Sequence, residues 1–335
     1  MKAMRLLCCG EPLGLIELAR PEPAPDEVRV KIAACGVCHS DLHIADGEMK
    51  CAVPRTLGHE IAGTVEAIGA KVTTLKLGDR VGVPWVSWTC GVCEWCASGC
   101  EQLCPQQKIT GFSVDGGYAE SIAVAASHAA RLPDAVSFDQ AAPLMCAGLT
   151  VYKALKSAQL VAGQRLAVYG VGGLGHLAIQ LGLHFGAEVV AVDVADAKLD
   201  LARTLGAAQV INAANEAADK AVRKLGGAHV ALVTPASVAA YESAFRSLRP
   251  RGVVVGVGMP AAPVPVNIVA MAAKEARLIT SSVGTRADLA ELLALAALGK
   301  VICRIEPRPL TEANAALADL RAGRVLGRIV LVPPQ

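Results

Sequence analysis

The sequence predicts an α/β fold in two parts, a β-rich barrel-like domain and a doubly wound parallel sheet, on three observations. The chain has 335 residues, more than one hydrophobic core usually serves, so two domains are expected. To about residue 145 it consists of short Val- and Ile-rich runs broken by Gly and Pro, among them EVRVKIAACG, HEIAGTVEAIG and GDRVGVP, which read as strands joined by turns. From about residue 148 the pattern becomes strand, Gly-rich turn, helix, and such alternation makes a parallel sheet covered on both faces.

In chain order the second part reads as the strand RLAVY, the turn GVGGLG, the helix HLAIQLGLHFG, the strand AEVVAVDV and the helix DAKLDLARTLGA. QVIN and HVALVT follow as strands, then a helical SVAAYESAFRSL and the strand RGVVVGVG. The tail carries DLAELLALAALGK and ANAALADLRAG as helices before a last strand, GRIVLVP. The expected boundaries are 1–147 for the first domain and 148–283 for the second, with 284–335 returning to the first.

Composition narrows the partners. A formal net charge of +2 lacks the basic excess of a nucleic-acid or membrane-surface binder, leaving small molecules and copies of the chain itself. The N-terminal MKAMRLLCCGEPLG has no signal-peptide core, and no segment approaches the roughly 20 apolar residues of a membrane helix, so a cytoplasmic protein is expected. Twelve cysteines in a chain this long point to metal ligation rather than a disulfide framework. With only 3% aromatic residues, Ala, Val, Leu and Ile must fill the core.

Gly170, Gly172 and Gly175 stand at the G-x-G-x-x-G spacing, with Gly173 and Leu174 inside the loop. Following an apolar strand and opening a helix, they suit a dinucleotide: a turn, room for pyrophosphate, and close helix–strand packing, with helix N–H groups facing the phosphates. Asp193, at the end of AEVVAVD, is placed to accept from ribose hydroxyls and to repel a 2′-phosphate, which favours NAD over NADP.

Two sets of metal ligands are expected. Cys90, Cys93 and Cys96 are spaced C-x2-C-x2-C, and Cys100 or Cys104 supplies the fourth sulfur; spacing leaves that choice open. Four thiolates make a closed, structural zinc site, an iron–sulfur cluster or plain reduced cysteines being the alternatives. Cys38, His59 and Cys146, with Glu60 beside them, are scattered along the chain. Two thiolates and an imidazole leave zinc one open position, which catalysis requires.

These motifs together resemble the zinc-dependent alcohol dehydrogenases of the medium-chain dehydrogenase superfamily, most closely the bacterial tetrameric type. The likeness runs end to end and rests on GHEIAGTVEAIGAKVTTLKLGDRV, the cysteine lobe, CAGLTVYKAL and GVGGLG. It implies a GroES-like catalytic domain with a Rossmann domain, NAD, two zinc ions per subunit and a homotetramer. The implied reaction is reversible oxidation of a primary or secondary alcohol to an aldehyde or ketone. The family's cysteine spacing falls on Cys90, Cys93, Cys96 and Cys104, leaving Cys100 over. Cys38, His59 and Cys146 match the catalytic zinc ligands, Glu60 a nearby carboxylate, and Asp41 the acid that orients the ligand imidazole. Ser40 matches the hydroxyl that starts the proton relay and His43 the imidazole that ends it, with a cofactor ribose hydroxyl between. His39 and Arg328 resemble residues near the pyrophosphate, Thr150 one at the nicotinamide end, and Lys198 one near the adenosine ribose.

The substrate pocket departs from the pattern. Trp85 matches an aromatic wall, but Met49 stands where close relatives often carry tryptophan, either widening the pocket or simply packing. Cys51 and Trp88 have no assigned role. The competing readings are an NADP-preferring cinnamyl-type reductase and a non-catalytic cofactor-binding relative, the latter disfavoured by the retained ligands.

Overall fold

A computed structural model describes residues 1–334. It divides into two units: Met1–Leu149 with Thr285–Gly299 and the chain from Cys303 on, and Thr150–Gly284 with Lys300–Ile302.

The first unit is organised by the long strand Glu27–Gly36. Val28, Val30, Ile32 and Ala34 point inward and are buried, while Lys31 between them is exposed, the period-two alternation of a strand with one wet face. Three strands pair with it antiparallel: Glu60–Ile68, Ser121–Ala125 and, at its far end, Arg328–Val332. Register decides what meets there. Gly36 lies opposite Glu60 on one side and Val330 on the other, so the chain leaving this strand passes between Glu60 and Arg328. The core beneath holds Leu6, Ile44, Leu57, Ile61 and Tyr118, all fully buried.

The second unit carries a six-stranded parallel sheet in the spatial order Gln209–Asn212, Glu188–Asp193, Arg165–Tyr169, Ala228–Val233, Leu248–Gly256 and Arg277–Thr280. Its central strands are apolar and buried over most of their length, as Leu166, Ala167, Val168 and Val189, Val190, Ala191 show, because helices cover both faces. The strand order reverses beside Arg165–Tyr169, and the Gly-rich turn leaves from that strand at the carboxyl edge, where open α/β sheets bind ligands. Helices Ala218–Lys224 and Ile268–Lys274 were not legible as periodic segments: each has only seven residues, and the second buries none of them.

Candidate active site and metal centres

Helix His39–Ala45 begins where the central strand ends, with Cys38 at its N-cap. Its fully buried Asp41 turns back and accepts from the Cys38 N–H at 2.9 Å and the Gly58 N–H at 3.1 Å. Asp41 also receives the Nδ1–H of His59 at 3.1 Å. That bond fixes the tautomer, so Nε2 is the free nitrogen. Ser40 is the second residue of that helix.

Cys38, His59, Glu60 and Cys146 each bring a donor atom to within 4.8 Å of all the others, and all four residues are buried. The Cys38 and Cys146 sulfurs are 4.0 Å apart, close to the about 3.8 Å that two Zn–S bonds at a tetrahedral angle span. His59 Nε2 is fully buried with no hydrogen-bond partner. An imidazole nitrogen stranded among thiols costs free energy unless a ligand takes it, and the donor set fits zinc. Cys38 is held well below its ordinary pKa, by the hydrogen bond from the Cys146 thiol first and then by His59 and Arg328 despite burial. That shift favours the thiolate form of Cys38.

Glu60 pairs with the Arg328 guanidinium through one carboxylate oxygen, both side chains being almost wholly buried. Burial, only partly opposed by Arg328, pushes its carboxyl up to about 7. The other oxygen has no partner and lies against Gly36, where a Cβ would fall 1.9 Å away. Only glycine admits that carboxylate. The Trp85 ring meets the His59 ring edge-on at 4.6 Å and stacks near Phe112 at 6.5 Å.

The cysteine lobe brings together the four cysteines that the resemblance implied. Cys90, Cys93, Cys96 and Cys104 gather their sulfurs, with Cys90 and Cys96 3.9 Å apart, while Cys100 caps the short 3-10 turn Glu101–Leu103 outside the group. Backbone N–H groups of Val92 and Cys93 aim at the Cys90 sulfur and lower its pKa to about 6. Lys108 lies over the Trp88 ring at 5.4 Å, a surface contact of the strand leading into the lobe.

Residues 24–134 match the alcohol dehydrogenase GroES-like domain family, and residues 173–297 match the zinc-binding dehydrogenase family. The chain is 45% identical over 334 residues to an alcohol dehydrogenase of Geobacillus stearothermophilus, covering 99% of each. The chain belongs to the zinc-dependent alcohol dehydrogenase family. The crystal structure of the Aeropyrum pernix alcohol dehydrogenase superposes with a TM-score of 0.94 at 35% identity, over 99% of this chain and 100% of that one. An acetophenone reductase from Geotrichum candidum, solved in complex with NAD, superposes with a TM-score of 0.90 at 29% identity, over 99% and 96%. Full-length identity of this order gives the chain alcohol dehydrogenase activity.

In this dehydrogenase the Gly-rich turn is built as a backbone cradle. Gly170 has φ +84°, a Cβ on Gly175 would fall 1.7 Å from the Gly170 carbonyl, and the side of Gly172 is open. Gly173 and Leu174 complete the turn, and Leu174 caps the helix Gly175–His184. Asp193 binds the turn itself: Oδ2 accepts from the Val171 N–H at 2.7 Å, and Oδ1 from Val194 and Ala195 at 2.8 and 3.1 Å. Thr234, which sequence reasoning missed, donates to the Tyr169 and Gly170 carbonyls from the neighbouring strand's end. Lys198 is half-buried on helix Asp196–Thr204, and Thr150 is buried on helix Ala147–Ser157.

The remaining expected residues sort by environment. His39 is exposed, and Ser40 lies 3.9 Å from the Cys38 sulfur. His43 is half-buried with Nδ1 2.5 Å from Glu48. Arg328, expected near pyrophosphate, is 2% exposed and engaged by Glu60 beside the thiols. Met49 and Cys51 pack against the core of the first unit. Gly36 and Tyr118 also escaped sequence reasoning, because a glycine and a tyrosine in strand-like stretches carry no local signal for what they touch.

Proposed function

We propose that the chain oxidises primary or secondary alcohols reversibly with NAD, with Cys38, His59 and Cys146 holding a catalytic zinc and Cys90, Cys93, Cys96 and Cys104 a structural one. The observation that carries this reading is the His59 nitrogen, buried without a partner beside two sulfurs at zinc spacing while its other nitrogen is fixed by Asp41. When bound, zinc supplies Lewis acidity toward the alcohol oxygen and NAD supplies the hydride acceptor.

The residues of the chain do the rest. Asp41 keeps the His59 ring oriented, and the Cys146 thiol and the Arg328 guanidinium favour the Cys38 thiolate. Trp85 walls the His59 side and excludes water from it. The Ser40 hydroxyl takes the substrate proton and His43, anchored on Glu48, releases it outward. Imidazole suits that step because its ordinary pKa is near neutral. His43→Ala should slow turnover near neutral pH and be partly rescued by added imidazole; an unchanged pH profile would remove His43 from the path.

For the cofactor, the Gly170–Gly175 turn and the helix N-terminus after it receive pyrophosphate, with Thr150 and Lys198 as further contacts. Asp193 uses three acceptor positions on backbone N–H groups, leaving one of the roughly four a carboxylate has for a ribose hydroxyl. Asp193→Gly should narrow the NAD over NADP preference by roughly tenfold, the size of one charge-assisted hydrogen bond. The decisive assay is a panel of alcohols and aldehydes with NAD(H) and NADP(H), before and after chelation: activity that survives metal removal would end the zinc mechanism.

Self-association fits the second unit. The sheet ends on Arg277–Thr280, paired on one side only, with Leu278 41% exposed, and the adjoining helix leaves Ile268 and Val269 71% and 80% exposed. An open edge beside exposed aliphatics invites a second copy, and a homotetramer is the assembly proposed. Light scattering at the mass of a single chain would refute it. The twelve cysteines are all unpaired, which suits a reducing cytoplasm. No helix among the described residues is long and apolar enough to cross a membrane.

A further inference from the structure

The Asp41 carboxylate is saturated. Oδ1 accepts from the Gly58 N–H and His59 Nδ1–H, both at 3.1 Å, and Oδ2 from the Cys38 N–H at 2.9 Å and the Tyr118 hydroxyl at 3.0 Å. An ionised carboxylate offers about four lone-pair positions, so the phenol takes the last. Three of these donors belong to the segments that carry Cys38 and His59 themselves. Tyr118 alone is brought from elsewhere in the chain, and its side chain is fully buried.

The ring is clamped as well as buried. Gly58, with φ +93°, offers it a bare Cα; a Cβ there would fall 2.4 Å from the Tyr118 ring. The Tyr118 backbone is tied in turn, its N–H donating to Leu57 and its carbonyl accepting from Met4. Burial first, and then the negative charge of Asp41, raises the phenol well above its ordinary pKa, so it stays protonated and can only donate to that carboxylate.

We propose that Tyr118 is a positioning residue for the catalytic metal: its hydroxyl fixes the rotation of the Asp41 carboxylate and, through it, the direction in which His59 presents Nε2. Without that hydroxyl, Oδ2 keeps a single N–H in a place solvent does not reach. The carboxylate can then turn about its Cβ–Cγ bond, carrying the acceptor of the His59 ring with it. Partners one step behind a metal ligand typically govern affinity by 10- to 100-fold, and a group acting through such a partner belongs at the lower end.

The inference rests on the reading of Cys38, His59 and Cys146 as zinc ligands, and the test separates the two. Tyr118→Phe keeps the ring and removes the hydroxyl. The more labile of two zincs should bind roughly tenfold more weakly in chelator competition, with the second zinc unchanged. Cobalt(II) exchanged into the labile site should show shifted d–d bands. Placing 3-fluorotyrosine at position 118, nearly isosteric and a stronger donor, should move those bands in the opposite sense. As a control, Ser247→Ala removes another fully buried hydroxyl, bonded to the Ala244 carbonyl at 2.7 Å in the second unit, and should lower stability without changing zinc affinity. Equal zinc affinity and unchanged cobalt bands in both Tyr118 variants overturn the proposal even if they melt earlier. A parent chain that binds only one zinc overturns the ligand reading and this proposal together.

Discussion

In the cysteine lobe, four sulfurs come from residues 90 to 104 and three of the four side chains are only half-buried. In the other centre, Cys38, His59 and Cys146 come from three distant segments, are at most 7% exposed, and stand among further polar groups. The lobe is a closed donor set with little behind it but backbone N–H groups. The catalytic set brings two thiols, one imidazole and the Glu60 carboxylate within 4.8 Å of one another and has much more behind it: Asp41 on four hydrogen bonds, and Arg328 against Glu60. A metal that only ties a loop needs four equal ligands. A metal that must exchange a ligand needs a position that a substrate can take, and the surrounding hydrogen bonds hold the remaining ligands in place.

That contrast can be broken most directly at His59. His59→Ala should cut kcat/KM for alcohols by at least about 10³-fold, the loss of several kcal/mol of Lewis-acid stabilisation, while one zinc per chain remains. Retained activity, or loss of both zincs, would show that the two centres are not separate. In the lobe, Cys104→Ser should remove one zinc and lower the melting temperature by roughly 10 °C, as several kcal/mol would in a chain of this size. Cys100→Ser should leave zinc content intact, and metal analysis of the pair decides between the two cysteines.

A smaller effect sharpens the lobe's anchoring to its own unit. His128 is buried against Thr89, the residue before Cys90, with Arg286 nearby, and burial first and that cation second push it down to about 4 from 6.5. Between those values the unfolded chain binds a proton that the folded chain refuses. Its contribution is therefore full above pH 6.5 and lost as pH falls toward 4, by about 3 kcal/mol. The stability difference between the parent and His128→Gln, from urea unfolding, should shrink by that amount from neutral pH to pH 4. A constant difference would mean that His128 titrates normally.

Much of this was legible before any coordinates. Periodicity marked the strand Glu27–Gly36 and the βα units around GVGGLG, and local spacing marked the lobe, because in each case the signal and the structure occupy the same short stretch. The scattered centre was readable only through family resemblance, since no local rule links Cys38 to Cys146. Arg328 shows the limit. The resemblance implied a place near the pyrophosphate, whereas strand Arg328–Val332 pairs beside Gly36 and delivers it to Glu60.

By itself the sequence determined a two-part α/β chain, a dinucleotide turn followed by an acid, a cysteine lobe and a family with two zincs. Spacing left Cys100 and Cys104 open and the resemblance chose Cys104; tertiary structure brings that sulfur, and not Cys100, to the lobe. It also decided that Gly36 is glycine because a carboxylate lies against it, and that Tyr118 closes the shell around Asp41. These are contacts between residues far apart in the chain, set by strand register and burial. A side chain's partners across a sheet are not written in its neighbours along the chain.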